Sequence, residues 1–256
     1  MRHFYKIVIF VSIFLFVGCG FHKVQYTNRT QFISLSPSQE VRLGLQASEQ
    51  IKKKNRDFLD RDREFLARVK NIGRRIAKAA NRDDFNWEFH TISKDILNAF
   101  CLPGGKVFVY SGILKAAHND DQLATVISHE IAHAIARHGA ERASMNQVLG
   151  IGGQVLSILV SNKAPIYQDT FALAYGFGTN YALMMPYSRT HELEADKIGL
   201  ILMKKAGYDT REALKFWENM SKVSGRPKNA NDFFSTHPNN KKRVEQIRKF
   251  NEKYAR

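Results

Sequence analysis

The pentapeptide His129-Glu130-Ile131-Ala132-His133 constrains this 256-residue chain more than any other feature. Two histidines four residues apart share one face of a helix, and the glutamate after the first leans toward the same point. A zinc ion held by such histidines lowers the pKa of a bound water molecule, and the carboxylate accepts the proton that this water loses. The motif therefore predicts a single zinc ion per chain, Glu130 as general base, and hydrolysis of peptide bonds.

The residues before the motif predict a well-started helix. Asn119 is suited to cap the N-terminus, and Asp120 and Asp121 favour the positive end of the helix dipole. Apolar residues recur along the segment at helical spacing, which predicts packing against a core that would hold the metal-binding side chains. His138, five residues beyond His133, falls on another face of this helix and is expected to be an outer or structural histidine.

A zinc hydrolase of this type needs a third protein ligand and leaves one coordination position open. A second predicted helix, capped by Ser188, contains two glutamates on nearly opposite faces. Glu192 lies on the face that reads as inward, whereas Glu194 shares its face with lysines and is expected to be partly solvated, so periodicity favours Glu192 as ligand. Asp196, one turn on, could accept a hydrogen bond from a zinc-bound imidazole. The alternative is a pair of surface acids on an amphipathic helix.

The chain also resembles a known family. The segments HExxH and ExxAD, the Asn-Ala-x-x-x-Pro-Gly-Gly stretch at 98–105 and the Thr-His-Pro element at 236–238 are similar to those of gluzincin metallopeptidases. That family includes CAAX-prenyl endopeptidases, HtpX, BepA and the mitochondrial overlapping-activity protease. The resemblance covers about residues 70 to 250. It implies that His129, His133 and Glu192 are the zinc ligands and that Glu130 is the general base. It also implies that Asp196 is a supporting acid and that His237 polarises the substrate carbonyl or contacts the metal, with Arg243 as a further candidate nearby.

From the residues alone, the role of His237 is open. A histidine before a proline in a polar loop is more often a turn residue or a helix-entry group than a catalytic one. The functional role of His237 therefore depends on the resemblance.

Two stretches upstream of the motif are typical of strands. Residues 85–92 alternate apolar and polar side chains, and residues 106–110 follow a Pro-Gly-Gly turn. We expect a small antiparallel sheet beside the zinc helix, in an α+β, mostly helical fold of the zincin type. An edge strand containing Asn98, Ala99 and Phe100 could pair with the backbone of an extended substrate. The alternative is a plain hairpin edge.

The N-terminus contains a pattern that predicts where in the cell the protein is located. A basic start and an apolar run too short to span a membrane precede Gly18-Cys19, which resembles the lipobox of a bacterial lipoprotein. We predict a signal peptide over 1–18, a tether over 19–35 with a lipidated Cys19 that anchors it to the membrane, and a metallopeptidase domain over 36–256. The alternatives are an uncleaved anchor and ordinary secretion. Because no aspartate follows Cys19, the resemblance favours a bacterial outer-membrane lipoprotein facing the periplasm.

Composition excludes several other functions. The two cysteines are Cys19 and Cys101, so acylation of the first leaves Cys101 alone, and neither an intramolecular disulfide nor a pair of cysteine zinc ligands is possible. The net charge of +15 comes from lysines and arginines spread through predicted helices, without a nucleic-acid motif, and a solvated basic face is expected. Apolar segments near 147–160 and 166–185 are too short or too polar for membrane spans and are predicted to be core or lid helices.

These patterns predict a zinc endopeptidase whose substrates are polypeptides, by resemblance misfolded or stalled cell-envelope proteins. One alternative is a non-enzymatic assembly or chaperone module on the same fold. Another is a self-inhibited protease, in which His237 or the apolar segments block the water position. The intact Glu130 weighs against a pure binding protein, which would have no chemical use for a base. The oligomeric state is left open by these patterns.

Overall fold

The computed structural model describes residues 20–146, 188–224, 233, 237 and 241–254. The predicted signal peptide, Cys19 and the apolar segments near 147–160 and 166–185 lie outside the described residues. Lipidation of Cys19 and the boundaries proposed for the domain therefore stay predictions. In the part of the chain that is described, no helix combines the length and the apolar character needed to cross a membrane.

The described residues belong to two compact units, of which the smaller contains residues 20–37 and 140–146. Strands β1 (Phe21–Lys23) and β2 (Thr30–Phe32) form an antiparallel hairpin in it. Arg29 donates two hydrogen bonds to the Glu141 carboxylate, at 2.7 and 2.6 Å. Part of the predicted tether is thus folded. Three-residue strands are too short to show the alternation by which a strand is recognised in a sequence.

Helices dominate the larger unit, as predicted. Their apolar residues face inward with helical spacing, and on the second helix Phe65, Val69, Ile72 and Ile76 are buried in succession. Asp62 caps this helix by accepting a hydrogen bond of 2.9 Å from the Phe65 N–H. The helices are α1 (Pro37–Lys54), α2 (Arg63–Ala80), α3 (Asp120–Ile135), α4 (Arg189–Lys205), α5 (Glu212–Ser224) and α6 (Lys241–Tyr254).

A three-stranded sheet accompanies the helices and confirms the α+β prediction. Its strands β3 (Glu88–Ile92), β4 (Ala99–Leu102) and β5 (Lys106–Tyr110) lie in the order β3-β5-β4. The stretches 85–92 and 106–110, predicted to form an antiparallel sheet, contain β3 and β5 and pair in parallel, so that prediction was wrong; β5 pairs antiparallel with the edge strand β4. Successive strands do reverse direction along the chain, but β5 lies between the other two, so its neighbour β3 runs the same way. A 3-10 helix, Ser111–Lys115, follows β5.

Helix α3 lies at the centre of this unit. It packs against α2, α4, α5 and strand β4, and every residue from Gln122 to Ile135 is buried. Helix α4 approaches it closely at Gly199, where an added Cβ would lie 3.2 Å from the His129 backbone nitrogen. The missing side chain lets the two helices come near enough to share one site.

A charged cluster on the sheet yields a test of stability. The Glu88 carboxylate accepts hydrogen bonds of 2.8 Å from both Lys52 and the buried Lys106. Burial alone would raise the pKa of Glu88, but these ammonium groups lower it to about 2. We expect Glu88→Gln to reduce the free energy of unfolding at neutral pH by about 1 kcal/mol, since solvent screens this partly exposed cluster.

The sign of the pH dependence follows from the lowered pKa of Glu88. The stabilisation is complete above the ordinary value of 4.5 and is lost as the pH falls toward about 2. Urea unfolding of both proteins over this range measures it, with Glu218→Gln, at an exposed position of α5 away from this cluster, as control. A difference between Glu88→Gln and wild type that stays constant down to the lowest pH would contradict the assignment.

Candidate metal centre

Four buried side chains from three parts of the chain meet at one point. His129 and His133 lie on α3, Glu192 lies in the first turn of α4, and His237 precedes α6. One ligand atom from each lies within 4.8 Å of all the others. The structure thus brings together the three predicted ligands and the histidine of the Thr-His-Pro element.

The distances within this group suit a zinc ion. The two Nε2 atoms of His129 and His133 are 3.1 Å apart, and each lies 3.4 Å from a Glu192 carboxylate oxygen. The Nδ1 atom of His237 is 3.4 Å from His129 Nε2 and 3.1 Å from Glu192 Oε1. Ligands at the corners of a zinc-centred tetrahedron lie roughly 3.3–3.6 Å apart. The donor set and its spacing therefore fit zinc.

Local sequence signals hold both helices in place, as predicted. The Asn119 side chain accepts a hydrogen bond from the Gln122 N–H at the start of α3. Ser188 does the same for the His191 N–H at the start of α4. Gly207 ends α4 with a φ of 77°, a left-handed conformation that glycine adopts without strain.

The electrostatics of the site also favour a bound cation. Burial works to lower the pKa of His129, but the Asp196 and Glu192 carboxylates outweigh it and raise that pKa to about 9. Burial likewise works to raise the pKa of Glu192, yet His237 and Arg243 hold it well below its ordinary value. The pKa of His133 is lowered by burial, which favours the neutral, ligating form.

Behind the predicted ligands lies a buried ion pair. Asp196 Oδ1 is 3.0 Å from His129 Nδ1, which is the placement predicted for an acid that orients a ligand. The Arg243 guanidinium donates to both Asp196 oxygens, at 2.7 and 2.8 Å, and its Nη1 lies 2.8 Å from Glu192 Oε2. It also stacks 4.1 Å over the Trp217 ring. Arg243 therefore has a closer connection to the site than its sequence suggested, and Trp217 is a neighbour that the sequence did not indicate.

Glu130 points into the same space. Its side chain is 2% exposed, and its Oε1 atom has no hydrogen-bond partner among the residues that the structure describes. The Nε2 atom of His237 lies 3.6 Å from this oxygen. Burial raises the pKa of Glu130 above its ordinary value. Such a carboxyl is suited to accept and return a proton near neutral pH.

Two predictions from helical periodicity were wrong. Glu194, expected to be partly solvated, is buried and accepts a hydrogen bond of 3.0 Å from His138 Nε2. His138, expected on another face, is fully buried with its Nδ1 atom 2.9 Å from His133 Nδ1. His138 was misplaced because α3 ends at Ile135 and Arg137 has a φ of 58°, so the helix does not continue to His138.

Strand β4 borders the site at the edge of its sheet. Ala99 is fully buried, and the Phe100 ring stacks on Phe108 at 5.1 Å between centroids. Asn98 accepts hydrogen bonds from the Ala99 and Tyr110 N–H groups, at 2.8 and 3.0 Å. The segment predicted to bind substrate is therefore an ordered strand with β5 on one side, packed against the helix that carries His129.

Comparison with known proteins gives consistent relatives. The chain is 36% identical over 225 residues to the mitochondrial metalloendopeptidase OMA1 of Schizosaccharomyces pombe, covering 88% of this chain and 64% of that protein. It is 36% identical over 206 residues to the human mitochondrial metalloendopeptidase OMA1, covering 76% and 38%. It is 30% identical over 179 residues to the beta-barrel assembly-enhancing protease of Escherichia coli, covering 66% and 35%. The chain thus spans less than two thirds of each of these relatives.

These relatives overturn the predicted location. Proteins named as mitochondrial come from fungi, a plant and animals, and they match at 32 to 39% identity, above the 30% of the bacterial protease. The prediction of a location at the bacterial outer membrane was therefore wrong. It depended on the first 19 residues, and a short basic and apolar N-terminal run is similar in several kinds of targeting segment.

The sequence pattern of one family extends over the whole site. It matches residues 65–251, a range that contains both histidines of the pentapeptide, Glu192, His237 and Arg243. The resemblance inferred from the motifs is confirmed at this level. The chain belongs to peptidase family M48.

Proposed function

We propose that this chain is a zinc-dependent endopeptidase that hydrolyses peptide bonds in extended polypeptides. The observation that carries the proposal is the convergence of His129, His133 and Glu192 on one point beside the buried Glu130. Three protein ligands and a neighbouring carboxyl are the parts that peptide hydrolysis by activated water requires.

Each residue of the site has its own role in the proposed reaction. His129, His133 and Glu192 would hold the zinc ion, which would supply Lewis acidity toward water and toward the substrate carbonyl. Glu130 accepts the proton of the attacking water and returns it to the leaving amine, a task that its raised pKa favours. Asp196 and Arg243 keep His129 and Glu192 in position.

The substrate class follows from the strand beside the site. Among the described strands β4 lies at the edge of its sheet, and the stretch Asn98, Ala99 and Phe100 would pair there with the substrate backbone, which binds a peptide without demanding a particular side chain. Such binding requires an extended segment, and folded proteins rarely expose one. Unfolded or misfolded polypeptides are therefore the proposed substrates.

A second candidate is favoured by the position of His237. Its Nδ1 atom lies as close to His129 and Glu192 as a fourth ligand would, and a site with four protein ligands leaves no coordination position for water. The His237 N–H donates a 2.7 Å hydrogen bond to the carbonyl of Phe233, whose ring stacks on the imidazole. In this form the protease is self-inhibited until His237 moves. A non-enzymatic binding module is less consistent with the buried Glu130.

Metal removal tests the function. We expect the purified full-length chain to contain about one zinc ion, as measured by mass spectrometry of the metal, because the site has a single complete ligand set. It should cleave labelled, unfolded casein, lose this activity after dialysis against a chelator, and regain it when Zn²⁺ is added. Cleavage that persists without metal, or a chain that never binds zinc, would exclude the proposal.

The variant His237→Ala separates the two candidates in the same assay. If His237 occupies the fourth position, its removal should increase the cleavage rate while zinc stays bound. If His237 polarises the substrate carbonyl, its removal should decrease that rate instead.

A further inference from the structure

We infer that His138 and Glu194 are positioning residues that act on the metal through His133. They form a hydrogen-bond relay, Glu194 to His138 to His133, which presents the bare Nε2 atom of His133 to the zinc ion. The inference rests on the proposed zinc site and assigns a role to two residues outside the ligand set.

The direction of each hydrogen bond follows from the chemistry of its end groups. A carboxylate accepts only, so His138 Nε2 carries a hydrogen and donates to Glu194 Oε2 across 3.0 Å. A neutral imidazole with that hydrogen on Nε2 has a lone pair on Nδ1. His133 Nδ1 lies 2.9 Å from this lone pair and must donate to it. The remaining nitrogen of His133, Nε2, is then the bare one.

That bare nitrogen faces the metal centre. His133 Nε2 lies 3.4 Å from Glu192 Oε1 and 3.1 Å from His129 Nε2. Glu194 therefore determines, through one intervening ring, which tautomer His133 adopts. The opposite tautomer would direct an N–H at the metal position and prevent binding.

The two ligating histidines are thus supported in different ways. His129 has a carboxylate, Asp196, in direct contact with its outer nitrogen at 3.0 Å. His133 has a carboxylate one imidazole further away. Outer partners of metal-bound histidines orient the ring and increase its basicity, and their loss weakens metal binding by about 10- to 100-fold.

The surrounding structure holds the His138 ring in place. Its imidazole is 0% exposed and stacks on the ring of His191, with 4.4 Å between centroids and 18° between planes. The left-handed Arg137 that turns the chain toward His138 donates a 2.9 Å hydrogen bond from Nε to the buried Glu40. A turn anchored in this way defines where the His138 ring lies, as a relay requires.

The test compares zinc affinity in three variants of the full-length chain. The double variant His138→Phe/Glu194→Met removes the relay and leaves neither partner buried alone. We expect its zinc dissociation constant, measured by competition with a chromophoric chelator, to rise about 10- to 100-fold. His138→Gln keeps an amide oxygen to accept from His133 and an amide N–H to donate to Glu194, so it should stay within a few-fold of wild type. Glu245→Gln, on the exposed face of α6, is the matched control.

A spectroscopic measurement on the wild-type protein tests the relay, because it shows which ring nitrogens carry a hydrogen. Long-range ¹H–¹⁵N correlation spectra of the zinc-loaded wild type should show His138 protonated on Nε2 and His133 protonated on Nδ1. His138 protonated on Nδ1 would overturn the relay. The relay would also be overturned if the wild type binds zinc well and the double variant binds it equally tightly. This result would leave the proposed function intact. A wild type that binds no zinc would overturn both.

Discussion

Replacing Glu130 with glutamine is expected to reduce cleavage of unfolded casein by about 10²- to 10⁴-fold, the contribution typical of a general base. Glutamine has the same shape as glutamate, but its amide does not accept a proton from water. The side chain is almost fully buried, so solvent does not supply a substitute base at that position. The loss should appear in the rate of the chemical step and not in the binding of substrate.

Zinc binding should be unchanged in Glu130→Gln. Its carboxylate is not among the four grouped ligand atoms, which belong to His129, His133, Glu192 and His237. Thermal unfolding should show equal or higher stability, because burial of a charged carboxyl opposes folding and an amide removes that cost. The measurement is cleavage rate, zinc content and melting temperature on one preparation. Retained cleavage would exclude Glu130 as the base, and loss of zinc together with activity would indicate a structural role.

Arg243→Met is expected to cost about 3–5 kcal/mol of unfolding free energy, as for other buried pairs that lose one partner. The guanidinium is 1% exposed and contacts the carboxylates of Asp196 and Glu192. Methionine fills similar space and still packs on Trp217, so the effect isolates the lost charge and hydrogen bonds. Denaturant unfolding measures the loss, and zinc should reduce it because a cation at the site compensates Glu192.

The pH dependence of this loss has a definite sign. Burial works to raise the pKa of Asp196, but Arg243 more than offsets it, so the folded-state pKa lies below the ordinary 3.8. The stabilisation is therefore present above pH 3.8 and is lost as the pH falls through the folded-state value. The difference in unfolding free energy between wild type and Arg243→Met should therefore decrease at acidic pH.

Two variants control for other causes. Arg211→Met breaks an exposed pair with Asp209 and should leave the unfolding free energy almost unchanged. Arg243→Lys keeps the charge but loses the forked geometry, so its stability should lie between those of wild type and Arg243→Met. An Arg243→Met protein as stable as the Arg211 variant would contradict the role of this buried pair.

Much of the site was predictable because its signals are local. The spacing of His129 and His133 places both on one face of α3 whatever surrounds the helix. Asn119 and Ser188 accept hydrogen bonds from N–H groups only three residues away, so their caps depend on neighbouring sequence alone. The inward position of Glu192 followed from the apolar residues that share its face of α4.

Where prediction failed, the cause was a contact or a chain reversal that no local pattern contains. Glu194 shares its face of α4 with lysines, yet it is buried and in contact with His138 from another segment of the chain. His138 was placed by extending a helix through Arg137, whose left-handed backbone ends it. The parallel pairing of β3 with β5 arose because the third strand inserted between the first two.

The sequence by itself predicted the chemistry: two imidazoles and a candidate base on one helix, a candidate third ligand on another, and an α+β fold rich in helices. Only the tertiary structure decided how these parts are supported. The Asp196–Arg243 pair, the Glu194–His138 relay and the place of His237 beside the ligands join residues 45 to 108 positions apart. Hydrogen-bond and ion-pair partners at such separations are set by the packing of whole helices, whereas a motif records only what one helix turn brings together.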